Sequence, residues 1–370
     1  MEISRVRSGK EFKEFIRLPW RIYDGDPNWV PPLIWMVKEK LDRKKHPFFG
    51  HAEAEYFIAL DNRRQAVGRI AAIVDRRHNE IHRDRTGFFG LFECIKDEDT
   101  AAALFEAAGT WLKGKGLEAV RGPVNLSMND ECGLLIEGFD LPPVFMMPYN
   151  PPYYIDLLEK NAFFKARDLF AFLMDTSHGV SPKVREIVDR LRSSNEFSFR
   201  QPKRNELLEE ALRIMEIYNQ GWSNNWGFVP WTEAEMVHMA GMLIRLADLN
   251  IVLFAEHKGR TVGFAAALPN FNEILPRLNG KLFPLGIFKF LVLKRRIKGI
   301  RAIVFGVLPE YMRTGLAYLL YDEFEKAITA RNYEWGELSW ELEDNQAINR
   351  FAASIGAAVY KKYRIYEKNI

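Results

Sequence analysis

The stretch VLPEYMRTGLAYLL, Val307 to Leu320, has the outline of a turn that grips an anion and then becomes a helix. The first backbone N–H groups of a helix have no partner within it, and the helix dipole is positive at that end, so phosphate settles there. In Met312-Arg313-Thr314-Gly315-Leu316-Ala317, the small Gly315 and Ala317 let a ligand approach the backbone and Arg313 adds a charge. Tyr318, Leu319, Leu320 and Phe324 then supply a face for burial. On the loop alone, a phosphate site and a helix that simply starts after Pro309 are equally good readings.

Other residues with chemical potential are scattered around this loop. On the strand GELSWELED, alternation places Glu337, Ser339, Glu341 and Glu343 on one face and Leu338, Trp340 and Leu342 on the other. The stretch from Tyr218 to Glu235 gathers Trp222, Trp226, Phe228 and Trp231 with Asn224 and Asn225. These residues either wall an apolar cleft and orient a polar head, or form a lid packed on another module. Asn129, Asp130 and Glu131 either face a cleft or make a turn, and the turn is favoured. No histidines form a metal set: His78 and His82 sit in the charged stretch RRHNEIHRDR, which reads as a solvated hairpin extension. Cys94 and Cys132 lie in no CxxC and near no His, so they read as reduced, structural thiols of a cytoplasmic protein.

The elements that must position these residues follow from pattern. The apolar fraction of 48% permits a sizeable core, and 370 residues suffice for two ordinary domains. A net charge of +3 gives no general case for nucleic acid. The N-terminus lacks a signal-peptide apolar region, and no stretch approaches the ~18 apolar residues of a membrane span. The first half reads as β-α-β-β-β-α-β-α-β, with a hairpin turning at Asp61–Gln65. A similar order recurs after the polar stretch 176–182. Overlaying FFGLFECIKDEDTAAALFEAA on IVFGVLPEYMRTGLAYLLYDEF puts Gly90 on Gly306 with the helix patterns in phase. The expectation is an α/β chain of two tandem modules, 1–178 and 179–370, each a mixed, mostly antiparallel sheet flanked by helices.

The second module resembles the GNAT acyltransferase superfamily. Val307-Leu308-Pro309 stands for the family's strand end, and Met312-x-x-Gly315-x-Ala317 for its Arg/Gln-x-x-Gly-x-Gly/Ala signature. Asn345, AINRFAASIG and Gly356 match the layout that follows. The resemblance implies CoA or acyl-CoA as co-substrate, with no metal. It places Leu308 against the pantetheine, Arg313, Thr314, Gly315, Leu316 and Ala317 at the pyrophosphate, and Asn345 at the pantetheine or substrate. It also implies that two neighbouring strands splay and admit the pantetheine arm between them. Met312 departs from the signature; since backbone N–H groups do most of the phosphate work, it should weaken affinity rather than abolish binding. The first module resembles the same fold, but Asp97, Glu98 and Asp99 occupy its helix start, so it reads as a copy that has lost CoA binding. Its Tyr153 and Tyr154 are left for packing or a shared cleft.

An N-acyltransferase needs a base for the amine proton and an acid for the leaving thiolate. Glu341, near the implied splay, is the candidate base. Phe351 stands where the family often has an acidic Tyr, which leaves Tyr360 and Tyr363 as candidate acids. The family's acceptor loop corresponds to the one carrying Trp222, Asn224, Asn225 and Trp226, and Glu131 is a further substrate candidate. The segment Leu282–Leu293, apolar and flanked by lysines and arginines, either lies in a membrane interface or packs between the modules. The blocks NWVPPL, HPFFGHAEAEYF and NDECG resemble a bacterial tandem-module group similar to acyltransferases linked to ceramide synthesis. That implies a small or lipid-like amine acceptor, no nucleic acid, and a cytoplasmic site of action or one at the inner membrane face. The alternatives are a catalytically inactive membrane-peripheral or partner-binding protein and, more weakly, aminoacyl transfer from tRNA. The sequence does not give the oligomeric state.

Overall fold

A computed structural model gives the structure of residues 1–176, 181–194, 196–244 and 246–370. Up to Asp175 the elements are β1 (Glu2–Arg5), α1 (Gly9–Arg17), α2 (Pro19–Ile22), α3 (Ile34–Lys40), β2 (Ala52–Leu60), β3 (Ala66–Asp75), α4 (Arg76–His82), β4 (Thr86–Cys94), α5 (Glu98–Lys113), β5 (Ala119–Gly122), β6 (Leu134–Glu137), α6 (Tyr154–Lys160) and β7 (Phe164–Asp175). There follow α7 (Pro182–Ser194), β8 (Phe197–Arg200), α8 (Leu207–Gly221), α9 (Glu233–Leu243), β9 (Val252–His257), β10 (Arg260–Pro269), α10 (Gly286–Leu293), β11 (Gly299–Val307), α11 (Leu316–Ala330), β12 (Trp335–Leu342), α12 (Gln346–Ser354) and β13 (Ala358–Asn369).

The chain forms two compact units, and neither is one continuous stretch. The first comprises Met1–Leu169, Leu275–Phe290 and Lys361–Ile370; the second comprises Phe170–Ile274 and Leu291–Tyr360. The sequence-based cut between 178 and 179 falls outside the described residues. Hydrophobic pattern marks β7 and β13 as strands but carries no record of their partners, so it could not show that each serves both units.

In the first unit β1, β2, β3 and β4 are antiparallel neighbours, and β5 runs parallel to β4. Ala101, Leu104, Phe105, Ala108 and Leu112 recur at helical spacing on α5 and bury that face in the core of the sheet. The β4–β5 pairing lasts only for Thr86↔Ala119, Gly87↔Val120 and Phe88↔Arg121. Beyond it the chain fills its own gap. The Val124 N–H donates to the Phe89 carbonyl at 2.8 Å, and the Asn125 side-chain oxygen accepts from the Leu91 N–H at 2.8 Å. A Cβ on Gly90 would lie 1.9 Å from the Val124 carbonyl oxygen, so only glycine allows this approach.

One expectation is corrected in this unit. RRHNEIHRDR is solvated over much of its length but is a helix and not a hairpin extension: Asp75 caps α4 by accepting from the Arg77 and His78 N–H groups. His78 is buried, with its ring 4.8 Å from Phe88 and 4.4 Å from His82. The charges of this stretch masked a helix whose cap lies one residue upstream of it.

The second unit repeats the plan. β8, β9, β10 and β11 are antiparallel neighbours, and β12 is parallel to β11. Helix α11 buries Leu316, Leu320, Phe324 and Ile328 against the sheet. Phe172 and Met174 from the end of β7 join Tyr321, Leu338 and Phe351 in a smaller cluster. Helix α7 had no counterpart in the sequence reading. Its Val184 and Val188 pack on Leu319, and Arg185 donates to Asp322 at 2.7 Å. Arg192 pairs with both Asp322 and Glu323.

Candidate active site

In the second unit β11 and β12 pair only from Gly299↔Trp335 to Ala302↔Leu338, although they continue to Val307 and Leu342. The strands therefore part at the position equivalent to the gap in the first unit. At the end of β11 the Leu308 N–H donates to the Val262 carbonyl at 2.8 Å, and the Leu308 side chain is buried. Leu308 and the equally buried Leu316 can thus meet a ligand only through their backbone. A turn over Pro309–Tyr311 follows, with the Tyr311 hydroxyl 2.8 Å from His257 Nδ1. The Thr314 hydroxyl donates to the Tyr311 carbonyl at 2.8 Å.

Gly315 has φ +84° at the start of α11, a conformation that favours glycine. Its free side faces α7: a Cβ there would lie 2.7 Å from Leu191 Cδ1. No side chain caps α11, and its first turn carries no acidic residue. Among the described residues, no recorded hydrogen bond uses the backbone N–H of Gly315 or Ala317. Arg313 is exposed and has no ion pair among the described residues. Met312 is 58% exposed, so its side chain is not needed for packing. The equivalent helix of the first unit is the opposite: Asp97 accepts from the Thr100 N–H at 2.9 Å, with Glu98 and Asp99 in the first turn. The turn before α11 thus fits a phosphate group, and that before α5 does not.

Where β11 and β12 part there is a buried polar chain that sequence reasoning only half found. Glu337, fully buried, accepts from the Tyr360 hydroxyl and from the Ser339 hydroxyl. Arg301, paired in register with Glu337, donates from Nε to Ser339 Oγ at 3.0 Å and from Nη2 to the Ser339 carbonyl at 3.2 Å. Tyr360 was singled out in the sequence, whereas Glu337 and Arg301 were given no role. The available signal was an Arg within the strand-like run IRAIVFGVL.

Glu341 lies on β12 beyond the last pair with β11. It is half-buried and has no hydrogen bond or ion pair among the described residues. Desolvation alone pushes its carboxyl up to about 8. A carboxyl raised in this way, with no partner to hold its charge, has the properties of a general base near neutral pH.

The aromatic loop is packed rather than loose. The Trp222 ring stacks on Tyr218 with centroids 4.7 Å apart, and Tyr218 lies 5.4 Å from Phe228. A Cβ on Gly306 would come within 2.4 Å of the Trp222 ring, so the glycine that overlays Gly90 admits an aromatic ring here. Asn219 closes the loop through two hydrogen bonds to the Trp231 backbone, of 3.0 and 2.9 Å. Asn224 is exposed, while Asn225 and Trp226 are half-buried. Asn345 caps α12, its side chain accepting from the Ile348 N–H at 3.4 Å. Phe351 stacks on Phe305 at 5.2 Å within the core. Glu131 belongs to the first unit, where it accepts from Asn125 and Lys40, each at 3.3 Å. Burial opposes the charge on Lys40, but Asp130 and Glu131 outweigh it and hold the ammonium well above its ordinary pKa.

No family model matches the chain. It is 39% identical to Protein YghO of Escherichia coli over 368 residues, covering 97% of this chain and 93% of that protein. It is 36% identical over 376 residues to a bacterial ceramide synthase of Caulobacter vibrioides, covering 100% of this chain and 97% of that protein. Among solved structures, a tandem GNAT protein from the clavulanic acid biosynthesis pathway superposes with a TM-score of 0.58 at 11% identity. That match covers 100% of this chain and 98% of the other.

Proposed function

This chain belongs to the family of Protein YghO and the bacterial ceramide synthase and shares the fold of a tandem GNAT protein, and we propose that its second unit transfers an acyl group from acyl-CoA to an amine. The observation that carries this reading is the contrast between the two units. The first fills its strand gap with Val124 and Asn125 and its helix start with carboxylates. The second has diverging strands beside a helix start with Gly315, Ala317 and an unpaired Arg313.

The pyrophosphate would take the N–H groups of Gly315 and Ala317 with the charge of Arg313, and the pantetheine would run along the parted edge of β11. Acyl-CoA supplies an activated thioester carbonyl. The amine nitrogen forms a C–N bond to that carbon as the C–S bond breaks. Glu341 accepts the proton that the amine loses. The Tyr360 hydroxyl, which donates to Glu337 in this structure, would turn its single hydrogen to the departing sulfur and give up that proton as the C–S bond breaks. Trp222 and Trp226 would wall the acceptor site, with Asn224 and Asn225 at its polar end. Similarity to a protein named bacterial ceramide synthase favours a long-chain acyl donor and a lipid-like amine.

Calorimetric titration with CoA tests the site directly. Wild-type protein should bind, and Gly315→Glu should weaken binding by about 100-fold or more, since it sets a negative charge at the helix start and presses a side chain on Leu191 of α7; Thr314→Glu, at an exposed position beside it, should weaken binding through charge without that clash. Failure of the wild type to bind CoA or any acyl-CoA would sink the proposal and favour a non-catalytic GNAT-like protein, the reading suggested by Met312 and Phe351. Mass spectrometry of products from acyl-CoAs of several chain lengths, offered with sphingoid and short amines, then identifies the substrates.

A further inference from the structure

We infer that helix α10 and its lead-in form a docking surface for a bilayer containing anionic lipid. Phe283, Leu285, Phe288, Leu291 and Val292 are 69%, 72%, 67%, 52% and 62% exposed. Elsewhere among the described residues, only Met1, Phe164 and Met312 are large apolar side chains more than half exposed, and they are isolated in sequence. Phe288, Leu291 and Val292 stand at i, i+3 and i+4, so they share one face of the helix. Phe290, by contrast, is 7% exposed and anchors the helix to the protein. An apolar stripe of this kind in water has an unmet partner.

The surrounding charge names the partner. From Ile274 to Lys298 there is no Asp or Glu, and there are seven Lys or Arg. Lys281, Lys289, Lys294, Arg295 and Arg296 are exposed and make no ion pair among the described residues. Apolar side chains ringed by unpaired cations complement the headgroup region of an anionic leaflet, where the rings enter the acyl boundary and the cations meet phosphate. The helix has eight residues, about 12 Å, which suits lying in the interface and not spanning. Among the described residues, no helix is long and apolar enough to cross a membrane.

The base of the segment is held firmly enough to present it. The Glu273 carboxylate accepts from the Lys298 and Gly299 N–H groups at 2.9 and 2.7 Å, closing the loop between β10 and β11. The Trp20 Nε1–H donates to Asn279 at 2.6 Å, and Gly280 allows the same indole a close approach. At Gly286 a Cβ would lie 2.2 Å from the Lys281 carbonyl oxygen, which fixes how the lead-in folds onto the helix. This inference does not depend on acyl transfer.

The test is co-sedimentation of the full-length protein with vesicles of phosphatidylcholine alone or mixed with phosphatidylglycerol. The mixed vesicles should bind the protein, and added salt should weaken that binding. The double variant Phe288→Asp, Leu291→Asp should lower partitioning by about tenfold or more. Replacing Lys294, Arg295 and Arg296 by Glu should remove the preference for the anionic vesicles. CoA titration and thermal unfolding of the same variants report folding and the CoA site separately, since neither set touches that site. Equal binding of wild type and the Asp variant, or no preference for anionic vesicles, would overturn the assignment. So would a dimer in sedimentation equilibrium that the Asp variant abolishes, because a second copy would then cover the stripe.

Discussion

Glu341 differs from Glu337, the other carboxylate of its strand, in having nothing to hold its charge. Glu337 is locked by two hydroxyl donors, while Glu341 has no recorded partner and a pKa raised to about 8 by desolvation. As a base it works only when ionised, so kcat/KM should rise with pH through about 8 and then level off. Glu341→Gln should lower the rate by about 10²–10⁴ and erase that limb of the profile. An unchanged profile would remove Glu341 from the mechanism. The same shift bears on stability with a definite sign. The ordinary value is 4.5 and the folded value about 8, so between them the unfolded chain sheds the proton and the folded one keeps it. Stability from this group is therefore greatest below 4.5, falls as pH rises toward about 8, and is constant above that. Thermal unfolding of the Gln variant should lose this part of the pH dependence.

At the scale of elements, each unit has one junction that decides its fate: a strand carrying a glycine, a turn, and a helix start. Gly90 lets the chain's own Val124 into the gap; Gly306 makes room for Trp222. Gly90→Ala puts a methyl group against a backbone carbonyl and should cost about 1–3 kcal/mol of stability. The folded protein should still bind CoA with wild-type affinity, because the CoA site proposed here belongs to the other unit. Thermal unfolding and calorimetry measure the two effects; a loss of CoA affinity with stability unchanged would reverse the assignment of the units.

At the scale of the molecule, the last residues of the chain are part of the first unit. Tyr366, Glu367, Lys368 and Asn369 pair with Gly122 to Ala119 on β5, and Tyr363, Ile365 and Tyr366 are buried. Lys361, also fully buried, donates to the Leu141 carbonyl at 2.5 Å. Ending the chain after Tyr360 should therefore destabilise residues more than two hundred positions away. The three buried apolar side chains alone contribute roughly 5 kcal/mol or more. Limited proteolysis of the truncated protein should cut first within residues 1–169, and an unaltered digestion pattern would refute this. A boundary drawn along the sequence assigns this segment to the second module, since nothing in a strand's own alternation says which sheet receives it.

Local chemistry was legible in the sequence wherever a pattern repeats or a residue type is committed. The paired β-α units, the open turn at Gly315 and the blocked one at Asp97 all follow from residue type and spacing. The exposed apolar stripe at 283–292 was visible as composition. Tertiary structure alone decided what depends on partners distant in the chain. It set Tyr360 against Glu337 and Arg301 against Ser339, buried His78, and exchanged the ends of β7 and β13 between the units. Periodicity reports the face a residue presents; hydrogen-bond partners and desolvation depend on which strands meet, and that is settled only when the sheet is assembled.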